Sequence, residues 1–366
     1  MWKPSLLSSC LLVLAGLARA APYTPKGGVG TSGTPPPVYV PGSDFDFQSL
    51  NLALNQEWIE LDLFHHGLAQ FSPAEFEAAG VTPAYQFLIE YMADQEVGHA
   101  TLISNILQGK GAKRCQYTYP FKTVPEFLDF CQKLTRWGES GVYGFLAHLD
   151  SRPSATLLTQ SITTEARQQM AFRQLKGLFP MPVWFETGIT QSMAWTLLAP
   201  YLKTCPAENP RIEWQNFPAL TITNNPDATK EATGGAAVSS NVTALSYAGR
   251  HVTLEWEKPG KKVSYNNSYT TSTSAGKPKY AAWISQLNTT YTELKHIDGR
   301  KASTTQPGGN IFSNHTVAGG NSTISAPLIN DTMFVLIVDD NPHVTPFNLS
   351  LLNKHVVAGP AIYQAG

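Results

Sequence analysis

The sequence has few charged residues, and neither sign of charge is in large excess. Lysine, arginine, aspartate and glutamate make up 14% of the 366 residues, and the formal net charge is −1. A protein that binds nucleic acid needs clustered basic side chains to replace the counterions of the phosphate backbone. The sequence has no such basic excess and no basic arm, so we exclude nucleic acid as a partner.

Long apolar runs are also missing. Residues 1–20, MWKPSLLSSCLLVLAGLARA, contain one lysine, a short apolar stretch and an Ala-Arg-Ala ending. The stretch is too short to span a bilayer, and this order of features is typical of a secretory signal peptide. We therefore predict a protein without a membrane span that is secreted, with the cell wall as a candidate location.

Cysteine is scarce, because the chain has four and Cys10 lies in the predicted signal peptide. Cys115, Cys131 and Cys205 remain, and in an oxidising compartment cysteines pair. We expect one disulfide and one free thiol. The sequence does not identify the pair.

The composition divides the rest of the chain into three parts. Residues 21–43 are rich in proline, glycine and threonine and are predicted to be an exposed leader. Residues 44–205 have helical periodicity, whereas residues 206–366 contain short apolar runs such as HVTLEWE, KKVSYNN, MFVLIVDD and HVVAGPAIY. The predicted fold class is α+β, with an N-terminal helical bundle followed by a C-terminal β-sandwich-like domain.

The acceptor signals for N-linked sugars are confined to the β-rich part. Such a signal needs Asn-x-Ser/Thr on exposed backbone. We therefore predict that this part forms a glycosylated surface. The acceptor asparagines are Asn241, Asn266, Asn288, Asn314, Asn321, Asn330 and Asn348.

Four long segments of the helical part have apolar residues at helical spacing, at about 44–68, 83–108, 124–149 and 154–176. The first and third links are short, so each pair of helices is expected to form a hairpin. The second link is long enough to cross the bundle. Two hairpins joined by one long crossover are the ferritin-like topology.

Each of the four helices has a carboxylate in the apolar stripe where a leucine is expected. Ferritin-like carboxylate sites take one Glu from each of two helices and a Glu-x-x-His pair from each of the other two. Gln168 stands where the second histidine is expected. The candidate metal ligands, in chain order, are Glu57, Glu96, His99, Glu139, Glu165 and Gln168.

Buried carboxylates repel one another and take up protons unless cations compensate them. Oxygen ligands with one imidazole suit manganese or iron better than zinc, so we predict one or two such ions. The alternative is a metal-free polar network in which the carboxylates hydrogen-bond to Gln168, Tyr143 or water. For Glu139 the neighbouring stripe of Phe127 and Phe130 fits a core-facing side of the helix equally well.

Several long stretches resemble a known family. LNLALNQEWIELDLFHHGL, DQEVGHATLI, SITTEARQQMAFRQLKGLFPMPVWFE, PRIEWQNFPAL, NNSYTTSTSAGKPKYAAWISQLN and HVVAGPAIYQAG resemble fungal secreted stress-response and sexual-development proteins with a ferritin-like domain. More distantly, the chain is similar to plant desiccation-related and bacterial ferritin-like proteins. The resemblance implies a ferritin-like bundle and an association with stress, nutrient response or development, without a settled reaction. Distant relatives often have Glu-x-x-His where this chain has Glu165-Ala-Arg-Gln168.

Two functional hypotheses follow. In the first, the protein is stress- or development-associated and its bundle binds manganese or iron for redox protection or metal sequestration. If that bundle is catalytic, its substrate is oxygen or peroxide. In the second, the protein is a non-enzymatic cell-wall or surface glycoprotein with a metal-free bundle, and the β-rich domain binds a glycan or a protein partner. The oligomeric state does not follow from the sequence.

Overall fold

The computed structural model describes residues 37–227, 229, 239–309 and 331–366, together with the backbone of 311–312 and 324–325. The predicted signal peptide, 1–20, and most of the predicted leader lie outside the described residues. The described chain from residue 39 onward belongs to one compact unit. No helix in this described part is long and apolar enough to cross a membrane.

Six α-helices occur among the described residues, and side-chain caps start five of them. Ser43, Ser72, Thr82, Thr123 and Thr190 each accept a hydrogen bond from a backbone N–H of the first turn. Three of the four long helices are capped in this way, and each begins within a few residues of its predicted position. The helices are α1 (Asp44–Gln70), α2 (Pro73–Ala78), α3 (Pro83–Ile106), α4 (Val124–Leu146), α5 (Arg152–Leu175) and α6 (Gln191–Leu198).

The four long helices form the predicted bundle. Helix α1 packs against α3, α4 packs against α5, and α1 and α4 join the two hairpins. The crossover between α3 and α4 contains β1 (Gln116–Tyr117), which pairs with β2 (Leu202–Thr204) after α6. A disulfide between Cys115 and Cys205 lies beside this pair, and Cys131 is a buried free thiol.

The β-rich part forms two four-stranded antiparallel sheets. We call the sheet with strand order β3-β4-β10-β9 the outer sheet, and the sheet with order β14-β13-β7-β8 the inner sheet. The strands are β3 (Leu220–Ile222), β4 (His251–Trp256), β5 (Lys262–Val263), β6 (Tyr269–Thr270), β7 (Tyr280–Ser285), β8 (Asn288–Glu293), β9 (Lys295–Asp298), β10 (Lys301–Thr305), β11 (Ile311–Phe312), β12 (Ile324–Ser325), β13 (Thr332–Val338) and β14 (Val356–Gln364).

The inner sheet is buried on both faces. In β13, Met333 and Val335 share a core with the outer sheet, whereas Phe334 and Leu336 share a core with the helices. A strand covered on both sides has a continuous apolar run instead of an alternating one, which is the pattern of MFVLIV. The predicted α+β fold class is confirmed. The predicted domain boundary between residues 205 and 206 stays a prediction.

One predicted strand is shorter than expected. KKVSYNN contributes only β5, and a 3₁₀ turn follows at Tyr265–Asn267. The reason is local, because Ser264, directly after the strand, has a φ angle of 65°, and Asn266 and Asn267 have φ angles of 51° and 54°. This left-handed backbone does not continue an extended strand.

Candidate metal centre

The centre of the bundle holds ionisable side chains from three of its helices. On a helix, residues three apart lie on the same face, so Glu57 and Glu60 of α1 point the same way, as do Glu96 and His99 of α3. Helix α5 adds Glu165. All five residues are at most 8% exposed. The sequence therefore places a charged cluster where the rest of the helix stripe is apolar.

The imidazole of His99 lies at the middle of this cluster. Its Nδ1 is 3.0 Å from Oε2 of Glu96, 3.3 Å from Oε2 of Glu57 and 3.9 Å from Oε1 of Glu165. One ring nitrogen therefore faces three carboxylates.

The other ring nitrogen is bound by Thr164. Nε2 of His99 is 2.9 Å from the Thr164 hydroxyl, which itself donates to the carbonyl of Ser161 at 2.6 Å. A hydroxyl whose proton is already donated accepts from the ring, so Nε2 carries a proton. In a neutral His99 this leaves the Nδ1 lone pair directed at the carboxylates, as a metal ligand requires.

Burial and mutual repulsion change the protonation of the cluster. Burial raises the pKa of Glu57 to about 7, although the nearby His99 lowers it in part. Burial, followed by repulsion from other carboxylates of the cluster, raises the pKa of Glu60 and Glu165 well above 4.5. Burial lowers the pKa of His99, but Glu57 and Glu96 outweigh it and raise that pKa to about 12. Without a cation, the cluster therefore holds extra protons.

The donor atoms fall into two groups that share Glu57. In one group, donor atoms of Glu57, His99 and Glu165 lie within 4.8 Å of one another, and in the other group the same holds for Glu57, Glu60 and Glu96. Glu60 is absent from the sequence-based prediction. The available signal was its position one turn after Glu57, on the same helix face.

Gln168, which replaces the expected histidine, also faces the cluster. Its Nε2 donates to Oε1 of Glu96 at 2.5 Å and to Oε1 of Gln95 at 3.1 Å. Its own Oε1 is buried and has no hydrogen-bond partner among the described residues. Gln168 therefore neutralises no charge, but it orients Glu96 and leaves one amide oxygen free.

The structure does not bring Glu139 to this cluster. Its Oε2 is 3.6 Å from the guanidinium of Arg136, which also pairs with Glu186 and lies 2.7 Å from Asp331. Glu139 belongs to neither group of potential metal donors in the described part of the chain. The attraction of a buried arginine explains why this carboxylate lies apart from the others.

The predicted sugar acceptors differ in exposure. Asn241 and Asn266 are exposed, and Asn288 and Asn348 are half-buried. The side-chain oxygen of Asn348 accepts hydrogen bonds from the backbone and the hydroxyl of Thr345. The remaining predicted acceptors, Asn314, Asn321 and Asn330, lie outside the described residues.

Comparison with known proteins agrees with this architecture. A family model described as a ferritin-like domain matches residues 45–178, which hold the four bundle helices. The chain is also 52% identical over 359 residues to Protein rds1 of Schizosaccharomyces pombe, in an alignment that covers 94% of this chain and 87% of that protein. The similarity extends through both the helical and the β-rich parts.

Proposed function

Because the chain contains a ferritin-like domain and belongs to the same family as Protein rds1 of Schizosaccharomyces pombe, we propose that its bundle binds one or two manganese or iron ions. The role of the bound metal is redox protection or metal sequestration. The observation that carries this proposal is the group formed by Glu57, His99 and Glu165, whose donor atoms lie within 4.8 Å of one another in the buried centre of the bundle.

The residues present fit such an ion. Carboxylate oxygens and one imidazole are suitable ligands for manganese or iron, and the free amide oxygen of Gln168 is a further oxygen donor. Thr164 holds the His99 ring so that Nδ1 faces the carboxylates. Bound manganese or iron would supply redox chemistry toward oxygen or peroxide, and the packed helices around it exclude bulk water.

Proton release accompanies metal binding in this proposal. Metal ligands must be deprotonated, so an entering cation displaces the Nδ1 proton of His99 and the protons held by Glu57 and Glu165. Metal affinity should therefore increase with pH. A divalent cation also removes the repulsion that raises the pKa of these carboxyl groups.

The proposal includes export from the cell. The disulfide between Cys115 and Cys205 supports it, because stable disulfides form in oxidising compartments. The exposed acceptors Asn241 and Asn266 are accessible to glycosylation. The association with stress or development rests on the family resemblance.

One observation favours the second candidate function, a non-enzymatic surface glycoprotein with a metal-free bundle. The two carboxylate oxygens of Glu96 are already bound, one by Gln168 and one by His99. A protonated His99 between two glutamates is a polar network that needs no cation. In this case the β-rich part would bind a glycan or a protein partner.

Metal content per chain distinguishes the two candidates. The protein is secreted from a fungal host, purified without chelators and measured by elemental mass spectrometry as wild type, Glu57→Gln and Glu90→Gln. Glu90 is exposed on α3, so its variant is a matched control. We expect near-stoichiometric manganese or iron in the wild type and the control and its loss in Glu57→Gln. The proposal would be contradicted if the wild type contained only trace amounts of manganese and iron and its Tm did not change when either metal was added.

A further inference from the structure

We propose that Glu60 of α1, together with Glu57 and Glu96, holds the second metal ion, and that Glu60 replaces the carboxylate expected from α4. This inference rests on the proposed function, because it specifies how a second ion is held. One carboxylate oxygen from each of the three residues lies within 4.8 Å of the others. Glu57 would bridge the two positions, since it belongs to both groups.

An unpartnered atom points independently to a ligand at this position. Glu60 is fully buried, and its Oε2 has no hydrogen-bond partner in the described part of the protein. A buried carboxylate oxygen without a partner is costly, and native structures rarely keep one without a reason. A cation beside Glu60 would supply the missing interaction.

The opposite oxygen of Glu60 is held by Gln56. Nε2 of Gln56 donates to Oε1 of Glu60 at 2.7 Å and to the carbonyl of Leu134 at 3.2 Å. Its Oε1 accepts from the indole N–H of Trp137 at 3.1 Å. Because an indole N–H can only donate, the amide oxygen must face Trp137 and the NH₂ group must face Glu60. Gln56 is therefore a positioning residue that leaves Oε2 of Glu60 available.

A glycine on α4 provides the space for this arrangement. A Cβ at Gly138 would lie 2.6 Å from Oε1 of Glu60 and 2.7 Å from the side chain of Gln56. The surface of α4 that faces the cluster therefore has no side chain, and Glu60 occupies that space. The next residue, Glu139, lies against Arg136 instead.

The charges of this arrangement also balance. Glu57, Glu60, Glu96 and Glu165 supply four carboxylates, which two divalent cations would neutralise with His99 uncharged. Glu139 is left out of that balance, because it belongs to neither donor group and lies against Arg136.

Manganese titration of the full-length protein tests the inference. Wild type, Glu60→Gln and the matched control Glu139→Gln are stripped with chelator and titrated with Mn²⁺ by isothermal calorimetry, and the loaded samples are examined by electron paramagnetic resonance. We expect two Mn²⁺ per chain and a spin-coupled signal in the wild type and in Glu139→Gln. Glu60→Gln should bind one Mn²⁺ and give the six-line signal of an isolated ion.

The outcomes separate this inference from the proposed function. A wild type that binds no Mn²⁺ would overturn both. A wild type that binds only one, a Glu60→Gln variant that still binds two, or a second ion lost in Glu139→Gln would overturn the inference and leave the proposed function standing.

A second variant covers the case in which Glu60→Gln does not fold. Gly138→Ala keeps every ligand but crowds Glu60, so it should weaken the second ion about tenfold and leave the first unchanged. Equal weakening of both ions, or of neither, would contradict the assigned role of Glu60. Circular dichroism of each variant shows whether the helices are intact.

Discussion

Replacing Glu165 by glutamine should stabilise the metal-free protein, and the stabilisation should grow with pH. Glu165 is 2% exposed and lies among the other carboxylates of the cluster. Burial, with repulsion from Glu57, Glu60 and Glu96, raises its pKa well above 4.5. The contribution of Glu165 to the free energy of unfolding is therefore largest below pH 4.5, where the group is protonated in both the folded and the unfolded protein. It is lost as the pH rises toward the pKa that Glu165 has in the folded protein. Glutamine has the same shape and does not titrate.

The magnitude follows from the proton that the folded protein must hold. Each pH unit above the ordinary pKa of 4.5 costs the folded protein about 1.4 kcal/mol for such a carboxyl group, until the pH reaches the raised pKa. A buried amide with incomplete hydrogen bonding offsets about 1–3 kcal/mol of this gain. Glu165→Gln should therefore raise the free energy of unfolding by about 1–3 kcal/mol at about pH 7.5. At about pH 5 the cost of keeping Glu165 protonated falls below about 1 kcal/mol, so the variant is no longer more stable than the wild type.

Urea unfolding of chelator-treated protein measures this effect. Wild type, Glu165→Gln and the exposed control Glu90→Gln are compared at the two pH values, with free energies taken from linear extrapolation. With saturating Mn²⁺ the wild type should become more stable than Glu165→Gln. A ligand at one hundred times its Kd adds about 2.7 kcal/mol to the free energy of unfolding of the protein that binds it.

One result would refute the reasoning directly. If Glu165→Gln destabilised the metal-free protein equally at both pH values, Glu165 would be ionised and compensated within the fold. The carboxylates would then form a self-sufficient network with His99. A pH-dependent gain that does not reverse with Mn²⁺ would instead support the protonated cluster and contradict the metal site.

Three further predictions concern the framework around the cluster. Replacing both Cys115 and Cys205 by alanine should lower the free energy of unfolding by about 2–5 kcal/mol, because the disulfide closes a loop with a sequence separation of 90. Urea unfolding measures this change, and an unchanged unfolding midpoint would contradict the prediction. Asp331→Asn should cost about 1–3 kcal/mol, because it removes a carboxylate that pairs with the two buried arginines Arg136 and Arg173. An unchanged free energy of unfolding would show that their other partners compensate them. Gly144→Ala should lower Tm, because its Cβ would lie 1.7 Å from the carbonyl oxygen of Ile189. The control Gly98→Ala should leave Tm unchanged or raise it, because its Cβ would meet nothing within 4 Å.

Much of the helical architecture could be predicted from the sequence, because it depends on local properties. Apolar spacing and capping residues place the bundle helices within a few residues of their observed ends. The lengths of the links indicate which helices form hairpins. The same spacing identifies Glu57, Glu96 and Glu165 as polar residues on buried stripes, and the structure brings these three together.

The β-rich part was less predictable from the sequence. Strand β13 has a recognisable apolar run, but β8, which reads NTTYTE, has little apolar character. It is a strand because its whole length pairs with β7, from Asn288 opposite Ser285 to Glu293 opposite Tyr280. Such pairing is a property of the assembled sheet and leaves only a weak signal in a single strand.

Only the tertiary structure decided which carboxylates meet. Helix α4 contacts α1, α5 and α6 and is buried on nearly all sides, so hydrophobic spacing does not identify the side that faces the bundle centre. The position of Glu139 is set by Arg136, whose partners Glu186 and Asp331 are distant in sequence. Glu60 enters the cluster because Gly138 of another helix leaves space for it. Helical periodicity acts within one segment, whereas these contacts exist only after several segments have packed together.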